Sequence, residues 1–257
     1  MTSLSLVDIS KGYTLNGERR SVLSRFAIEV RGPNIVSIVG PNGCGKSTLL
    51  GIIAGFIRPD GGEVRIRTSH ELKPRIGFAW QDYRSSLLPW RDAADNITFP
   101  LELQGYPRPM RREIAKDLIR ETGAKIRPDQ KCYELSGGQQ QIVSVLRSTV
   151  GDPDLLLFDE PLSALDQSST WSMIFRFERI WSRLQVPLFF VSHDVDAAII
   201  LADEIVLMGS HAGDVGTLQN HMPHPRTIEM LNSDEHRQCR QSVIEFLAGE
   251  SASRERA

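Results

Sequence analysis

The chain has 257 residues, of which 40% are hydrophobic and 24% charged, and its formal net charge is -2. This composition is that of an ordinary globular protein, and the charge argues against nucleic-acid binding and against a polybasic membrane anchor. The longest apolar run, residues 197–208, contains Asp203 and Glu204 and is too short to cross a bilayer. The N-terminus lacks a signal-peptide pattern, so we expect any membrane role to come through a partner.

Short apolar or alternating runs predict strands, and apolar residues at helical spacing predict helices. In chain order, strands are predicted over residues 4–9, 26–30, 35–39, 63–67, 76–80, 155–158 and 188–192, and helices over residues 47–56, 111–122 and between the last two strands. Several strands are apolar throughout, which is typical of a mostly parallel sheet covered on both faces. Residues 82–140 predict a helical insertion, and residues 211–257 predict a polar tail with one helix near 234–248.

The cysteines are odd in number and widely spaced, at Cys44, Cys132 and Cys239. This arrangement disfavours a disulfide framework and a structural zinc site, and it is typical of a reducing cytosol. Four histidines in the tail, His211, His221, His224 and His236, follow no ligand spacing of a known metal site.

The strand over residues 35–39 leads into a glycine-rich segment with the pattern of a phosphate-binding loop. Glycines let successive backbone N–H groups point at phosphate oxygens, and the helix that follows directs its positive end at the same anion. Lys46 can reach the β and γ phosphates of a nucleotide, and the Ser47 hydroxyl can bind Mg²⁺. The alternative is an ordinary glycine turn. The predicted nucleotide-binding residues are Gly40, Pro41, Asn42, Gly43, Cys44, Gly45, Lys46, Ser47 and Thr48.

A second apolar strand, over residues 155–158, ends in two acids, Asp159 and Glu160. Asp159 is placed to hold Mg²⁺, directly or through water. Glu160 is placed to act as the general base that polarises an attacking water. Many strands end in an acid, so this pattern gains its meaning from the phosphate-binding loop in the same chain.

Residues Leu135-Ser-Gly-Gly-Gln139 predict a second helix N-terminus. Ser136 is a favourable N-cap, and apolar residues at helical spacing follow it. Exposed amides at a helix N-terminus form an anion site, so Ser136, Gly137, Gly138 and Gln139 predict a second anion site in the chain. The alternative is a plain capped helix.

Together these segments resemble the nucleotide-binding subunits of ABC transporters over nearly the whole chain. Leu135–Gln139 resembles the signature motif, which in that family closes over the ATP bound by a partner subunit. Tyr13 resembles the aromatic residue that stacks on adenine, and Gln81 the glutamine that senses Mg²⁺ and the attacking water. Asp166 lies in a segment that resembles the loop between the two ATP sites, and His193 resembles the histidine that contacts the γ-phosphate. Taken singly, each could instead be a surface or structural residue.

The resemblance implies an α/β fold with a P-loop NTPase (RecA-like) core, a mixed, mostly parallel sheet and an inserted helical subdomain. It implies a single domain with a core over residues 1–81 and 141–210, which includes an antiparallel β part, a helical subdomain over 82–140 and a tail over 211–257. ATP and Mg²⁺ would be bound between two identical or related ATPase subunits. The implied partners are two membrane permease subunits and an external solute-binding protein, with no nucleic acid, at the cytoplasmic face of the membrane.

A branch of the family is indicated by Leu87-Leu-Pro-Trp90-Arg91, Asp95-Asn-Ile97 and Leu101-Glu-Leu103, which resemble importers of nitrate, taurine, sulfonates and bicarbonate. Met222-Pro-His-Pro-Arg226 resembles an element in the tail of the same group. Importers of other small solutes, such as vitamin precursors, belong to this group as well. The apolar residues after Gln81 predict either a groove for a helix of the membrane subunit or a small satellite core.

Two features depart from the family pattern. Gln140-Gln141-Ile142 follows the signature motif where related subunits usually have Arg-Gln-Arg. Cys44 lies inside the phosphate-binding loop, where its side chain is expected to point away and to have no role of its own. The alternative is that the helix N-terminus and Lys46 lower its pKa and make it alkylatable.

Two other classes of function are alternatives to a transport ATPase. A DNA-repair or translation relative would carry long insertions or a second such domain, and this chain has neither. A scaffold that binds nucleotide without hydrolysing it would not need Lys46, Asp159, Glu160 and His193 together.

Overall fold

The computed structural model describes residues 2–15, 17–70 and 73–254. These residues form strands β1 (Ser3–Leu15), β2 (Glu18–Arg31), β3 (Ile35–Val39), β4 (Gly61–Arg67), β5 (Ile76–Ala79), β6 (Leu155–Asp159), β7 (Leu188–Val191), β8 (Glu204–Met208) and β9 (Val215–Gln219). The helices are α1 (Lys46–Ile53), α2 (Tyr83–Ser86), α3 (Ala93–Ile97), α4 (Phe99–Leu103), α5 (Arg108–Thr122), α6 (Gly137–Ser148), α7 (Gln167–Leu184), α8 (Val195–Leu201) and α9 (Asp234–Arg254). Short 3₁₀ turns lie at Cys132–Glu134 and Ile228–Asn232. The chain divides into two compact units, unit one (Met1–Leu72 with Pro187–Ala257) and unit two (Lys73–Val186).

In unit one, an antiparallel sheet of order β2-β1-β4 forms from the first part of the chain. Leu4 pairs with Val30 on one side and with Ile66 on the other, so alternate apolar residues share one buried face. Register shifts interrupt the β1–β2 ladder on both sides of Ile9. The strands are longer than the sequence predicts because their outer halves are polar and carry no alternating apolar signal.

Unit one also contains the parallel strands β7, β3 and β8, with β9 added antiparallel at the edge beside β8. Every residue of β3, β7 and β8 is buried, which agrees with their mostly apolar sequences, and Ser37 and Glu204 are the buried polar residues among them. The predicted α/β fold with a mixed, mostly parallel sheet is therefore confirmed. Strands β8 and β9 were absent from the prediction.

The tail of unit one folds back on α8. Arg226 is buried and donates hydrogen bonds to the carbonyls of Ile200 and Ala202 at the C-terminal end of that helix. At the other end of α8, Asp196 accepts a hydrogen bond from Arg240 of α9 at 2.9 Å. The predicted tail helix near 234–248 corresponds to α9, which extends to Arg254.

In unit two, β5 and β6 pair in parallel and α6 packs against β5. Helices α2 to α5 follow β5, and the buried side chains of Ala93, Ile97 and Ile119 pack with Val143 and Leu146 of α6. The predicted helical insertion of residues 82–140 lies within this unit, and its status as a separate subdomain stays a prediction.

Candidate nucleotide-binding and hydrolysis site

The phosphate-binding loop of unit one joins β3 to α1. A Cβ at Gly40 would lie 2.4 Å from the carbonyl oxygen of Met208, so only glycine fits there. Gly43 and Gly45 have φ angles of 79° and 111°, a region that favours glycine. The conformation of the loop thus depends on these three glycines.

Lys46 is the first residue of α1 and is only 6% exposed. Its ammonium donates hydrogen bonds to the carbonyl oxygens of Gly40 (2.8 Å) and Pro41 (3.0 Å) at the beginning of the loop. The side chain of Ser47, the next residue, is exposed. The Lys46 ammonium and the Ser47 hydroxyl therefore both lie at the glycine-rich loop, and their binding of phosphate and Mg²⁺ stays a prediction.

The alternative of a lowered pKa at Cys44 is wrong. The side chain is buried, and burial raises the pKa of its thiol, although Lys46 and backbone N–H groups act in the opposite direction. A Cβ on Gly40 would meet the Cys44 sulfur at 2.9 Å, so the thiol packs inside the loop. Desolvation of a thiolate in this position outweighs the attraction of the nearby positive charges.

Tyr13 lies near the end of β1 with about a third of its surface exposed. The carboxylate of Asp60 accepts hydrogen bonds from the Gly12 amide (2.9 Å), Lys11 (3.0 Å) and Arg19 (3.1 Å). These contacts, led by the Gly12 amide, lower the pKa of Asp60. Asp60 thereby ties β1 and β2 to the loop before β4 directly beside Tyr13. Sequence reasoning missed this residue because Pro59 and two glycines identified the segment only as a turn.

His193 follows β7 and precedes α8, and its side chain is exposed. The next residue, Asp194, caps α8 by accepting hydrogen bonds from the amides of Asp196 (2.9 Å) and Ala197 (3.1 Å). The backbone at His193 is thus fixed by the end of a buried strand on one side and by a capped helix on the other.

Unit two carries the acidic residues of the site. Asp159 is the last residue of β6, Glu160 follows it, and both are buried. The Gln81 amide nitrogen donates to Glu160 Oε2 at 2.9 Å, which brings together two residues predicted separately for hydrolysis. Within unit two, Asp159 and Gln81 each offer a side-chain oxygen, the type of ligand that Mg²⁺ prefers, so the chemistry of these donors suits the predicted ion.

The signature segment forms the N-terminus of α6 as predicted. The Ser136 hydroxyl accepts from the Gln139 amide at 3.3 Å, and Gln139 Oε1 accepts from the Ser136 amide at 2.9 Å, which forms a reciprocal capping box. A Cβ at Gly137 would lie 2.8 Å from the Tyr83 hydroxyl, and one at Gly138 would lie 2.6 Å from Leu165. The glycines therefore also serve packing within unit two.

Asp166 caps α7 and is exposed. Hydrogen bonds from the Ser169 hydroxyl (2.6 Å) and amide (3.0 Å) lower the pKa of Asp166, so its carboxylate is held ionised. This residue thus has a structural role at a helix N-terminus in addition to the predicted one between two sites.

The three residues after the signature motif, of which Gln140 and Ile142 stand where related subunits usually have arginine, point in different directions. Gln140 donates to the carbonyls of Cys132 (2.9 Å) and Leu135 (3.1 Å), while Gln141 is buried beside Glu160. Ile142 packs against the apolar cluster of unit two.

The segment after Gln81 supports the satellite core, whereas the groove for a membrane-subunit helix stays a prediction. Leu87 is buried in the apolar cluster of unit two, whereas Trp90 is 70% exposed. Nearby in the same unit, a cleft of about 470 Å³ is lined by Phe78, Trp80, Phe99, Leu103 and Arg147. The satellite core and an apolar surface therefore coexist.

Neither a membrane-spanning helix nor a metal cluster is found in the part of the chain that the structure describes. None of its helices is long and apolar enough to cross a bilayer. Across residues 2–15, 17–70 and 73–254, no group of three or more His, Cys, Asp or Glu side chains is arranged to hold a metal ion. All three cysteines are free thiols.

Comparison with known proteins identifies the family. Residues 23–163 match the family described as ABC transporter. The chain belongs to the ABC transporter family. The resemblance to the ABC family and the predicted class, an ATP-binding ATPase subunit of an ABC transporter, are thereby confirmed.

Several curated ABC proteins resemble the chain over most of its length. An uncharacterized ABC transporter ATP-binding protein of Methanocaldococcus jannaschii is 36% identical over 89% of this chain and 87% of its own. A taurine import ATP-binding protein of Pseudomonas entomophila is 35% identical over 84% and 82%. An aliphatic sulfonates import ATP-binding protein of Bacillus cereus is 33% identical over 95% of each chain.

Two solved structures share the fold of this ABC chain. One is a dimeric ATP-binding cassette in a post-hydrolysis state bound to ADP and Pi, with a TM-score of 0.71. The other is a dimeric bacterial ABC transporter cassette, with a TM-score of 0.72. Both are 27% identical to this chain, and each match covers 80% of this chain and 94% of the other.

Proposed function

We propose that this chain hydrolyses ATP to power an importer of a small sulfonate- or taurine-like solute. The observation that carries the proposal is the similarity, at 33–35% identity over most of both chains, to taurine and aliphatic sulfonates import ATP-binding proteins. The resemblance of Leu87–Arg91 and Met222–Arg226 to the same group of importers supports it. A chain of this kind acts at the cytoplasmic face of a membrane, together with permease subunits and an external solute-binding protein.

The nucleotide is bound first through unit one. Tyr13 stacks on the adenine ring, and the amides of residues 40–48 surround the β and γ phosphates. Lys46, held by the carbonyls of Gly40 and Pro41, exchanges these acceptors for the more strongly attracting phosphate oxygens. The hydroxyl of Ser47, together with Asp159 and Gln81, would hold Mg²⁺, which when bound neutralises charge on the phosphates.

Hydrolysis follows from the acids of unit two. The Glu160 carboxylate accepts a proton from a water molecule whose oxygen forms a bond to the γ-phosphorus, while the bond from that phosphorus to the ADP oxygen breaks. The Gln81 amide, 2.9 Å from Glu160 Oε2, orients the carboxylate for this proton transfer. His193 donates a hydrogen bond to the γ-phosphate and stabilises the charge that develops there.

The site is completed by a second copy of the chain. Ser136, Gly137, Gly138 and Gln139 of one copy offer helix-N-terminal amides to the γ-phosphate bound by the other copy. The dimeric cassettes that share this fold support such an arrangement.

A permease helix would dock in the cleft of unit two. The apolar lining supplies contact area, and Trp80, which lines the cleft and is 40% exposed, is the kind of aromatic anchor that dominates binding energy. Arg147, in the same cleft, pairs with no carboxylate in the described chain, and burial lowers the pKa of its guanidinium. A partner helix with an acidic residue would compensate that desolvated charge.

The role of Glu160 is tested by Glu160→Gln, which keeps the size of the side chain but removes the base. We expect ATP binding to persist and hydrolysis to fall by at least about 100-fold. Hydrolysis near the wild-type rate would remove Glu160 as the general base.

Transport and solute are tested on the complex recovered with the tagged chain from its own membranes. Mass spectrometry should identify a multi-span permease, and proteoliposomes with the matching binding protein should take up radiolabelled taurine or an alkanesulfonate in an ATP-dependent way. Recovery of only ribosomal or DNA-repair proteins would contradict transport. Uptake of nitrate, bicarbonate or a vitamin precursor alone would correct the solute.

A further inference from the structure

Glu160 has an unusual backbone for a residue with a side chain. Its φ angle is 49°, in the left-handed region, although it directly follows the extended strand β6. Residues other than glycine rarely adopt this conformation, which persists only where neighbouring contacts enforce it. The residue proposed as the general base is therefore held at a bend between the strand and the turn that follows it.

The enforcing contact comes from α6. Gln141 is 1% exposed, and its amide nitrogen donates to the Glu160 carbonyl oxygen at 3.1 Å and to the Ser163 hydroxyl at 3.3 Å. Its amide oxygen accepts from the Ala164 amide at 2.9 Å. One buried side chain thus connects the bend at Glu160 with residues 163–164, which lead to Asp166.

Glu160 is consequently held at two points by glutamines from different elements. Gln81 contacts the carboxylate, and Gln141 contacts the backbone carbonyl of the same residue. Because a buried amide left without partners is costly, Gln141 has a strong preference for this one arrangement. The orientation of the carboxylate is then set by its own backbone as well as by Gln81.

We propose that Gln141 is a positioning residue for hydrolysis, acting by fixing the backbone of Glu160 and of residues 163–164. The proposal rests on the proposed role of Glu160 as general base. Gln141 lies two residues after Gln139 on the helix that begins with the signature segment. It therefore links the position of that helix to the position of the base, and through Ala164 to the segment of Asp166.

The test compares Gln141→Met with Gln140→Met in the full-length chain. Methionine approximates the volume of glutamine but forms no such hydrogen bonds. Gln140 is a matched control, since it lies on the same helix and donates two hydrogen bonds that do not involve Glu160. We expect Gln141→Met to lower kcat for ATP hydrolysis by up to about 100-fold with KM for ATP within about two-fold of wild type, because displaced catalytic groups cost rate rather than nucleotide affinity. Gln140→Met should keep kcat within about two-fold.

A second variant covers the case in which Gln141→Met does not fold. Gln141→Asn keeps a neutral amide but is one methylene shorter, so it no longer spans from the Glu160 carbonyl to the Ala164 amide, and kcat should fall in the same way. Thermal unfolding of each variant identifies loss of the fold. Equal kcat losses in folded Gln140→Met and Gln141 variants, or an unchanged kcat in a folded Gln141 variant, would overturn the proposal.

Glu160→Gln in the same assay distinguishes a failure of the proposed general base from a failure of the proposed positioning role of Gln141. If Glu160→Gln hydrolyses ATP normally, the proposed general base is wrong, and Gln141 loses its role with it. If Glu160→Gln is inactive while folded Gln141 variants keep the wild-type kcat, only the positioning role fails.

Discussion

The two helices whose N-termini are assigned to phosphate begin in different ways. Helix α1 follows Gly45 in a left-handed conformation and has no side-chain cap in the described structure. Helix α6 is closed by the reciprocal hydrogen bonds of Ser136 and Gln139. The first N-terminus is therefore shaped by the backbone and the second by side chains.

This difference matches the two roles proposed for the helices. In the proposed role of α1, the glycine-rich loop has no side-chain cap on its amides, so they can bind the phosphates of the nucleotide held by the same chain. A side-chain cap keeps the start of α6 in shape before a second copy arrives, since it satisfies amides that would otherwise need water. Substitutions should consequently damage the two helix starts to different extents and in different assays.

The largest effect is expected at the glycine before α1. Gly45→Ala would place a Cβ 2.6 Å from Val22 at a φ of 111°, so the loop must shift. We expect ATP binding, measured by equilibrium titration, to fall by at least about 100-fold, since the amides would no longer converge on the phosphates. Gly43→Ala separates the two causes, because it carries the strain of a positive φ but has no atom within 4 Å of the added carbon, so its loss should be smaller. A loss at Gly43 as large as that at Gly45 would contradict the steric argument.

A moderate effect is expected at the cap of α6. Ser136→Ala removes the acceptor of the Gln139 amide and should lower the free energy of unfolding by about 1 kcal/mol, measured by urea denaturation. ATP binding by the single chain should be unchanged, whereas hydrolysis should fall because it requires the second copy. Ser136→Thr keeps a hydroxyl and should retain most of the stability. Loss of ATP binding in the monomeric Ser136→Ala protein would contradict the division of roles.

The smallest effect is expected at Cys44, which lies in the loop before α1 but only fills space. Because burial raises its pKa, the thiolate fraction is small at neutral pH and grows only as the pH becomes alkaline. Alkylation by iodoacetamide at pH 7, followed by mass spectrometry, should therefore be slow in the folded protein and should accelerate on unfolding. Cys44→Ser should change hydrolysis by less than about two-fold. Fast, selective alkylation of the folded chain at pH 7 would contradict this.

Elements with a continuous or periodic apolar signal could be predicted from the sequence. Strand β3 was predicted with its observed ends because all five of its residues are buried and a glycine follows. Strand β8 was missed because residues 197–208 combine the end of a helix, a turn and a strand in one apolar run. Glu204 interrupts that run but is itself buried, which raises its pKa. A charged residue inside a core strand gives no sequence signal of burial.

The site was predictable where one segment carries both the motif and its geometry. The loop before α1 and the cap of α6 are local, so residue types and spacing suffice to predict them. Contacts between distant segments were not predictable in this way. Gln81 and Glu160 are 79 positions apart in the chain. The sequence gives no signal for Gln141 itself, since it differs from the family pattern only at the two neighbouring positions, where arginines are replaced. Burial and hydrogen bonding revealed its place beside Glu160.

The contacts of Arg226 in the tail predict which positions can vary among related sequences. Arg226 contacts α8 through the backbone carbonyls of Ile200 and Ala202, and its other partners are the Met222 carbonyl and the Asp203 carboxylate. A carbonyl is the same whatever side chain it belongs to, so positions 200 and 202 can change among apolar residues without altering this contact. The planar, multidentate guanidinium has no substitute among the other side chains, lysine included. Homologous chains should therefore vary freely on the helix while retaining arginine in the tail.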